Sequence, residues 1–254
     1  MGMLIIKHVT IGEGAPKVVV PLVGKTEKEI LREAAVVKTH GPDIVEWRAD
    51  FFEEVENITA VLAVVQKLRN FFSEELLLFT FRSFKEGGNR EMDDEYYLEL
   101  NQLVIQTGAV DLVDVELFSK EETVKALISK ANEFEVYIMM SNHDFVQTPS
   151  KQEIIARLKK MHRYGADLLK IAVMPQSVDD VLTLLDATNT MKRESEAPIV
   201  TISMGKLGII SRLAGEVFGS DLSFGSVKAA SAPGQIPIEE LRQVLHTIHK
   251  YTNQ

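Results

Sequence analysis

Lysine rarely stands in the middle of an apolar run, yet Lys170 is flanked by Leu168, Leu169, Ile171 and Ala172. An ammonium taken out of water there is costly unless paired. Desolvation and neighbouring arginine charges would depress its pKa toward that of a nucleophilic amine. The chemistry such a residue offers is imine formation with a carbonyl carbon. The other reading is an ion pair with Glu46, Asp114 or Glu116. His143, in SNHDF, is either a turn residue bonded to a carbonyl or the proton shuttle that imine chemistry requires near neutral pH, and the presence of Lys170 favours the shuttle.

Other polar residues recur two apart within apolar runs, so that each pair shares a face: Glu46 with Arg48, Thr80 with Arg82, Asp114 with Glu116, Ser141 with His143. Arg48, Arg82 and Arg212 form a candidate anion-binding set, because a planar guanidinium grips a carboxylate through two parallel hydrogen bonds. For each of them an ion pair with Glu46 or Glu86 is the alternative. Ser231 and Gln235 lie in the small, polar segment SVKAASAPGQ, either as ligand contacts or as part of an ordinary connection. His246 and His249 lack a third ligand, EGGNREMDDEYY lacks the alternating ligands of a calcium loop, and GEG at Gly12 is no nucleotide fingerprint. Neither a metal nor an organic cofactor is expected.

The elements that must position these residues are short. Apolar runs begin at Val18, Asp43, Leu76, Val110, Val136, Ala166, Pro198 and, more weakly, Asp221, separated by helical-period stretches such as TEKEILREAAVVK and SKQEIIARLKKMHRYG. Eight strand–helix alternations of about 30 residues each predict an α/β fold, a parallel sheet closed as a (β/α)8 TIM barrel. The runs are apolar enough for burial on both faces, and the polar pairs fall near strand C-terminal ends, where barrel active sites are built. Before the first run, MLIIKHV and TIGEG read as an N-terminal β-hairpin closing the barrel floor. No linker interrupts the pattern, so residues 1–254 are expected to form a single barrel domain. Thr26 with Glu29 reads as a capping box, Gly165 as a helix stop and Pro237 as the opening of the last helix.

Composition narrows the partners. The chain has 254 residues, with 28 Lys plus Arg against 37 Asp plus Glu and a formal net charge of −9. That balance argues against nucleic acid or an acidic membrane surface, so any bound anion must be held by a local basic cluster. The absence of Cys removes disulfides and thiolate chemistry and suits a reducing cytoplasm. VLAVV and LLLF, the longest apolar runs, fall well short of the roughly 20 residues a membrane span requires.

The segments IGEGAPK, EWRAD, LLFTFRSFKEGG, DVELF, SNHDF, GADLLKIAVMPQ, ISRLAGEVFGS and SAPGQI follow one another over essentially the whole chain. In order and spacing the chain resembles type I 3-dehydroquinate dehydratase, the Schiff-base enzyme of the shikimate pathway. The resemblance implies a (β/α)8 barrel, usually a homodimer, that dehydrates 3-dehydroquinate to 3-dehydroshikimate without metal or cofactor. It implies that Lys170 forms the imine, that His143 acts as general base and then general acid, and that Glu86 orients and tunes that histidine. By the same resemblance Glu46, Arg48 and Arg82 contact substrate hydroxyls and position the ring, Arg212 receives the carboxylate, and Ser231 with Gln235 closes over it. Two positions depart from the family pattern: Pro21 stands where some members have a serine that touches the ligand, and SMGKLGIISR differs from the SMS found elsewhere while keeping Arg212. A class I aldolase would share barrel, lysine and imine, and a noncatalytic barrel would bind a carboxylated ligand through the same arginines.

Overall fold

The computed structural model describes residues 2–227 and 231–252. Its first element is an antiparallel hairpin of β1 (Leu4–Ile6) and β2 (Val9–Ile11). The barrel strands follow: β3 (Lys17–Leu22), β4 (Ile44–Arg48), β5 (Leu76–Thr80), β6 (Leu112–Glu116), β7 (Tyr137–Asp144), β8 (Leu168–Val173), β9 (Ile199–Ser203) and β10 (Leu222–Ser226). They are parallel and run in the order β10-β3-β4-β5-β6-β7-β8-β9, so the last strand returns to the first. Between β9 and β10 the barrel is closed by Asp221, whose N–H donates to the Ile199 carbonyl at 2.8 Å and whose carboxylate accepts from the Ile199 N–H at 2.9 Å.

Helices α1 (Glu27–Thr39), α2 (Ile58–Phe71), α3 (Asp94–Gln106), α4 (Glu121–Glu133), α5 (Lys151–Tyr164) and α6 (Val178–Glu194) alternate with the strands as expected. After β9 the alternation changes: two short helices, α7 (Ile209–Leu213) and α8 (Gly215–Phe218), replace one long one. Gly215 lies against the Ser220 carbonyl, where an added Cβ would come within 2.7 Å, so the chain bends sharply there. The two-residue β11 (Ile236–Pro237), which the sequence did not suggest, pairs with β10 and leads into α9 (Ile238–Thr252).

Helix ends follow local chemistry. The Thr26 hydroxyl accepts from the Glu29 N–H at 3.3 Å, but the Glu29 carboxylate turns to the Lys25 N–H, so only half of the expected capping box forms. A complete box stands at Ser177 and Asp180 instead. Gly165, with φ 90°, ends α5, and Pro237 immediately precedes α9.

Alternation along each strand sorts the side chains into two cores. Val18, Val20, Val45, Trp47, Leu77 and Phe79 face outward under the helices. Val19, Ile44, Leu78, Leu112, Met139, Leu168 and Val200 face inward and meet Ile6, Val9 and Ile11 of the hairpin, which plugs the barrel floor. One layer further toward the strand C-termini the inward positions become Glu46, Thr80, Asp114, Ser141 and Lys170, all buried. The interior thus changes from apolar to charged partway up. Among the described residues no helix is long and apolar enough to cross a membrane.

Candidate active site

The reach of Glu86 to the opposite strand depends on a tight reversal after β5. Residues Phe84–Glu86 form one turn of 3-10 helix, Gly87 follows with φ 80°, and the Gly88 N–H donates to the Ser83 carbonyl at 2.8 Å. A Cβ at Gly88 would sit 1.9 Å from the Arg82 carbonyl, so the segment KEGG can double back only as glycine. The turn delivers the buried Glu86 carboxylate to the end of β7. There Oε2 faces His143 Nδ1 and accepts from the His143 backbone N–H, both at 3.0 Å, while Oε1 accepts from Asn142 Nδ2 at 3.0 Å.

Electrostatics sets this pair apart from ordinary surface groups. Burial, followed by the positive charges of Arg82, Lys170 and Arg48, pushes His143 well below its usual pKa, so the imidazole is neutral. Burial and the neighbouring Glu116 push Glu86 up to about 8, while Arg82 and the amide of Asn142 pull the other way. Every hydrogen bond that Glu86 receives favours the carboxylate. Once Glu86 is ionised, His143 Nδ1–H is the donor, which leaves the Nε2 lone pair unengaged by Glu86.

Lys170 projects inward from β8. Its Nζ lies 3.5 Å from Asp114 Oδ2, 3.9 Å from Glu46 Oε1 and 4.6 Å from the centre of the Phe224 ring. Burial lowers its pKa, Asp114 and Glu46 oppose that, and Arg82 and Arg48 reinforce it. The two readings of this lysine therefore coexist: it has carboxylate neighbours, yet its amine is easier to deprotonate than a surface lysine. Glu116 is not among its partners, because that carboxylate is held by Arg82 at 2.9 Å and by the Ser83 hydroxyl at 2.6 Å.

The three arginines differ. Arg82 is almost fully committed inside the barrel, with Nη2 2.7 Å from Asp114, Nη1 bonded to Glu116 and Ser141, and Glu86 further away at 3.6 Å. Burial would lower its pKa, but the surrounding carboxylates outweigh burial and hold it above its ordinary value. Arg48 does not pair with Glu46 or Glu86. Its Nε and Nη2 fork onto Asp50 at 2.8 Å each, because the chain turns in 3-10 helix (Ala49–Phe51) directly after β4 and folds Asp50 back. Glu46 instead accepts from the Thr80 hydroxyl at 3.0 Å. Arg212, on α7, meets no carboxylate among the described residues. It donates to the backbone carbonyls of Phe224 and Pro233, its Nε has no hydrogen-bond partner among them, and burial alone pushes it down to about 10. A guanidinium still charged at neutral pH and lacking a counter-ion is ready for an anionic ligand.

Lys170, His143, Glu86, Glu46, Arg48, Arg82, Arg212, Ser231 and Gln235 all line one cavity at the C-terminal end of the barrel. Ser231 and Gln235 are bonded to each other across the mouth, Ser231 N–H to Gln235 Oε1 at 2.8 Å and Gln235 Nε2 to Ser231 Oγ at 3.0 Å. Lys228, Ala229 and Ala230 of the same expected loop lie outside the described residues. Pro21 is buried in register with Glu46 and does not line the cavity. His249 pairs with Glu216 at 2.7 Å rather than with His246.

Sequence reasoning missed Asp50, Phe224 and Phe145. Asp50 carried a signal, since an acid directly after a strand-end arginine in EWRAD had to be satisfied somewhere. Phe224 under Lys170 carried none, because an aromatic residue in an apolar run is the default core, and Phe145, beside the His143 ring with centroids 6.5 Å apart, carried none because one phenylalanine in the polar segment SNHDFVQTPS does not show which ring it meets.

Known proteins resemble this chain over nearly its whole length. The type I 3-dehydroquinase family profile matches residues 18–252. A 3-dehydroquinate dehydratase of Bacillus subtilis is 56% identical over 253 residues, covering 99% of each chain, and one of Listeria innocua is 54% identical over 250 residues, covering 98% of this chain and 99% of its own. The crystal structure of a Clostridium difficile type I 3-dehydroquinate dehydratase with covalently modified comenic acid superposes with a TM-score of 0.96 at 50% identity, over 99% of this chain and 100% of that one. The chain belongs to the type I 3-dehydroquinase family.

Proposed function

We propose that this barrel dehydrates 3-dehydroquinate to 3-dehydroshikimate through an imine on Lys170. The observation that carries the reading is the juxtaposition in one cavity of a desolvated amine, a neutral imidazole facing a carboxyl, and a guanidinium that has no counter-ion among the described residues. Lys170 Nζ adds to the substrate ketone, and loss of water from the carbinolamine gives the iminium. The iminium acidifies the adjacent carbon, so His143 Nε2 can take a proton from it and leave the electron pair in an enamine. The enamine expels the β-hydroxyl, which leaves as water with the proton from His143, and hydrolysis of the product imine returns the lysine. Arg212 pairs with the substrate carboxylate, Glu46, Arg48 and Arg82 order the hydroxyls and the ring, and Ser231 and Gln235 cover the ligand. The family performs a carbon–oxygen elimination, which sets the class I aldolase reading aside.

The same proposal takes residues 1–254 as one catalytic domain, acting in the cytoplasm as a homodimer. Val146, Val178, Leu182 and Leu207 are apolar yet exposed on loops and helix α6 at the same end of the barrel, and a second copy would cover them. Light scattering on the wild type and on Leu182→Glu tests this, and a monomeric wild type excludes it.

Borohydride decides the chemistry. Added with 3-dehydroquinate, it should reduce the iminium to a secondary amine, inactivate the protein irreversibly and place the added mass on the peptide containing Lys170, with Lys170→Ala abolishing both labelling and turnover. A label on Lys206 or Lys228, or full activity with no label, defeats the proposal.

A further inference from the structure

A line of side chains leaves the cavity at His143 and ends on the outer helix α5. Glu86 Oε1 accepts from Asn142 Nδ2 at 3.0 Å, and Asn142 Oδ1 in turn accepts from Arg157 Nη1 at 2.9 Å. Arg157 is steadied by Glu153, which accepts from its Nε at 2.7 Å, and by the Phe118 ring 5.4 Å away. Neither Asn142 nor Arg157 lines the cavity.

A primary amide can present either end to a neighbour, and the end decides what the neighbour must be. Its NH2 can only donate, so a carboxyl facing it is best ionised. Its carbonyl can only accept, so the carboxyl would have to keep a proton. Arg157 carries donors alone and therefore claims the carbonyl end of Asn142, which leaves the NH2 for Glu86. With Glu86 held as an acceptor, His143 must carry its proton on Nδ1, and Nε2 is free to act as the base.

We propose that Arg157 is a positioning residue for the base: by holding Asn142 Oδ1 it fixes the amide orientation that keeps Glu86 an acceptor and His143 in its working tautomer. The proposal rests on the assignment of His143 as the base. The balance it tips is close. Glu86 faces Glu116 and Asp114 from β6, Arg82 Nη1 at 3.6 Å from the end of β5, and His143 and Asn142 from β7, and these influences together with burial leave it near 8. His143 also feels Lys170 from β8 and Arg48 from β4.

The experiment measures kcat, KM and the pH profile of Arg157→Met, Arg157→Lys and Asn142→Asp in the full chain, with 3-dehydroquinate as substrate. Methionine keeps an apolar stem over Phe118 and removes every donor, so kcat should fall about 10- to 100-fold with KM little changed. The rising limb of kcat should move up by about one pH unit, because Glu86 then holds its proton more tightly. Arg157→Lys should regain most of the loss, and Asn142→Asp, which keeps an acceptor for Arg157 but removes the donor to Glu86, should reproduce the shift. Borohydride trapping at Lys170 should persist in all three. A wild-type profile in Arg157→Met overturns the proposal, as does a loss of activity with no pH shift and no rescue by lysine; if the methionine variant does not fold, Arg157→Leu, which also removes every donor, takes its place under the same outcomes. His143→Ala separates the two levels: if it retains turnover, the base assignment itself fails, whereas an inactive His143→Ala beside an unaffected Arg157→Met removes only the role of Arg157.

Discussion

Lys170 Nζ and Asp114 Oδ2 lie 3.5 Å apart in the buried upper layer of the barrel, and no hydrogen bond joins them. The spacing has a chemical consequence. A close, well-bonded carboxylate would lock the ammonium, whereas an absent one would leave a buried charge uncompensated. Asp114 itself is held below the usual carboxylate range, since Arg82 and Lys170 outweigh the burial that would raise it. It therefore stays ionised and tethers a lysine that can still give up its proton.

Replacing Asp114 by Asn should make that proton easier to lose. The pH limb for borohydride trapping at Lys170 is expected to move downward, because the largest influence favouring the ammonium is gone. Arg82 loses a partner at 2.7 Å in the same variant, so the protein should also be less stable by about 3 kcal/mol. Trapping rates from pH 6 to 10 and urea midpoints check both parts, and an unmoved limb would show that Asp114 does not control the amine.

Arg212→Ala should weaken substrate binding more than bound chemistry. Loss of a charge-assisted pair costs on the order of 2 to 4 kcal/mol, which corresponds to an increase in KM of about 30-fold to several hundredfold. Steady-state kinetics decide it. An unchanged KM would mean that the substrate carboxylate is held elsewhere.

His143→Ala should stop elimination while leaving Lys170 able to form some imine. Intact-protein mass spectrometry with 3-dehydroquinate should show slow accumulation of an adduct that does not turn over. Turnover near the wild-type rate would identify another base.

The pH dependence of activity and of stability should carry the mark of the same histidine. With His143 held well below its usual value, its own protonation should set a limb of kcat/KM only below about 6.5, while Glu86, ionised only above about 8, should set a further rise toward that pH. In the unfolded chain the imidazole takes up its proton near 6.5, above the folded value. As pH falls between those values the unfolded state binds more protons, and His143 costs the fold stability. Glu86 works in the opposite sense, since its folded pKa of about 8 exceeds the unfolded value of 4.5, so its contribution is present below the unfolded value and is lost as pH rises through 8. Urea unfolding of the wild type and His143→Gln at pH 5 and pH 7 isolates the histidine: the wild type should lose more stability on acidification, and equal losses would contradict its burial as a neutral base.

What the sequence determined by itself is the fold and which charged residues face the barrel interior. Eight apolar runs buried on both faces admit few architectures, and alternation along a strand places Glu46, Lys170 and His143 on the inward side whatever the rest of the chain does. A lysine between four apolar residues is legible because local sequence cannot satisfy it.

Pairing among the charges was decided by the tertiary structure. Spacing shows that Glu46 and Arg48 share a face, but Arg48 takes Asp50, because the 3-10 turn after β4 brings that carboxylate closer. Glu86 is 57 residues from His143 and reaches it only because Gly87 and Gly88 allow the chain to reverse. Arg82 meets acids from β6 and from its own turn, while Arg212, equally basic in sequence, meets none among the described residues. Coulomb interactions and hydrogen bonds act over a few ångströms, so which charge is neutralised and which is left for a ligand depends on how strands distant in sequence close around one axis.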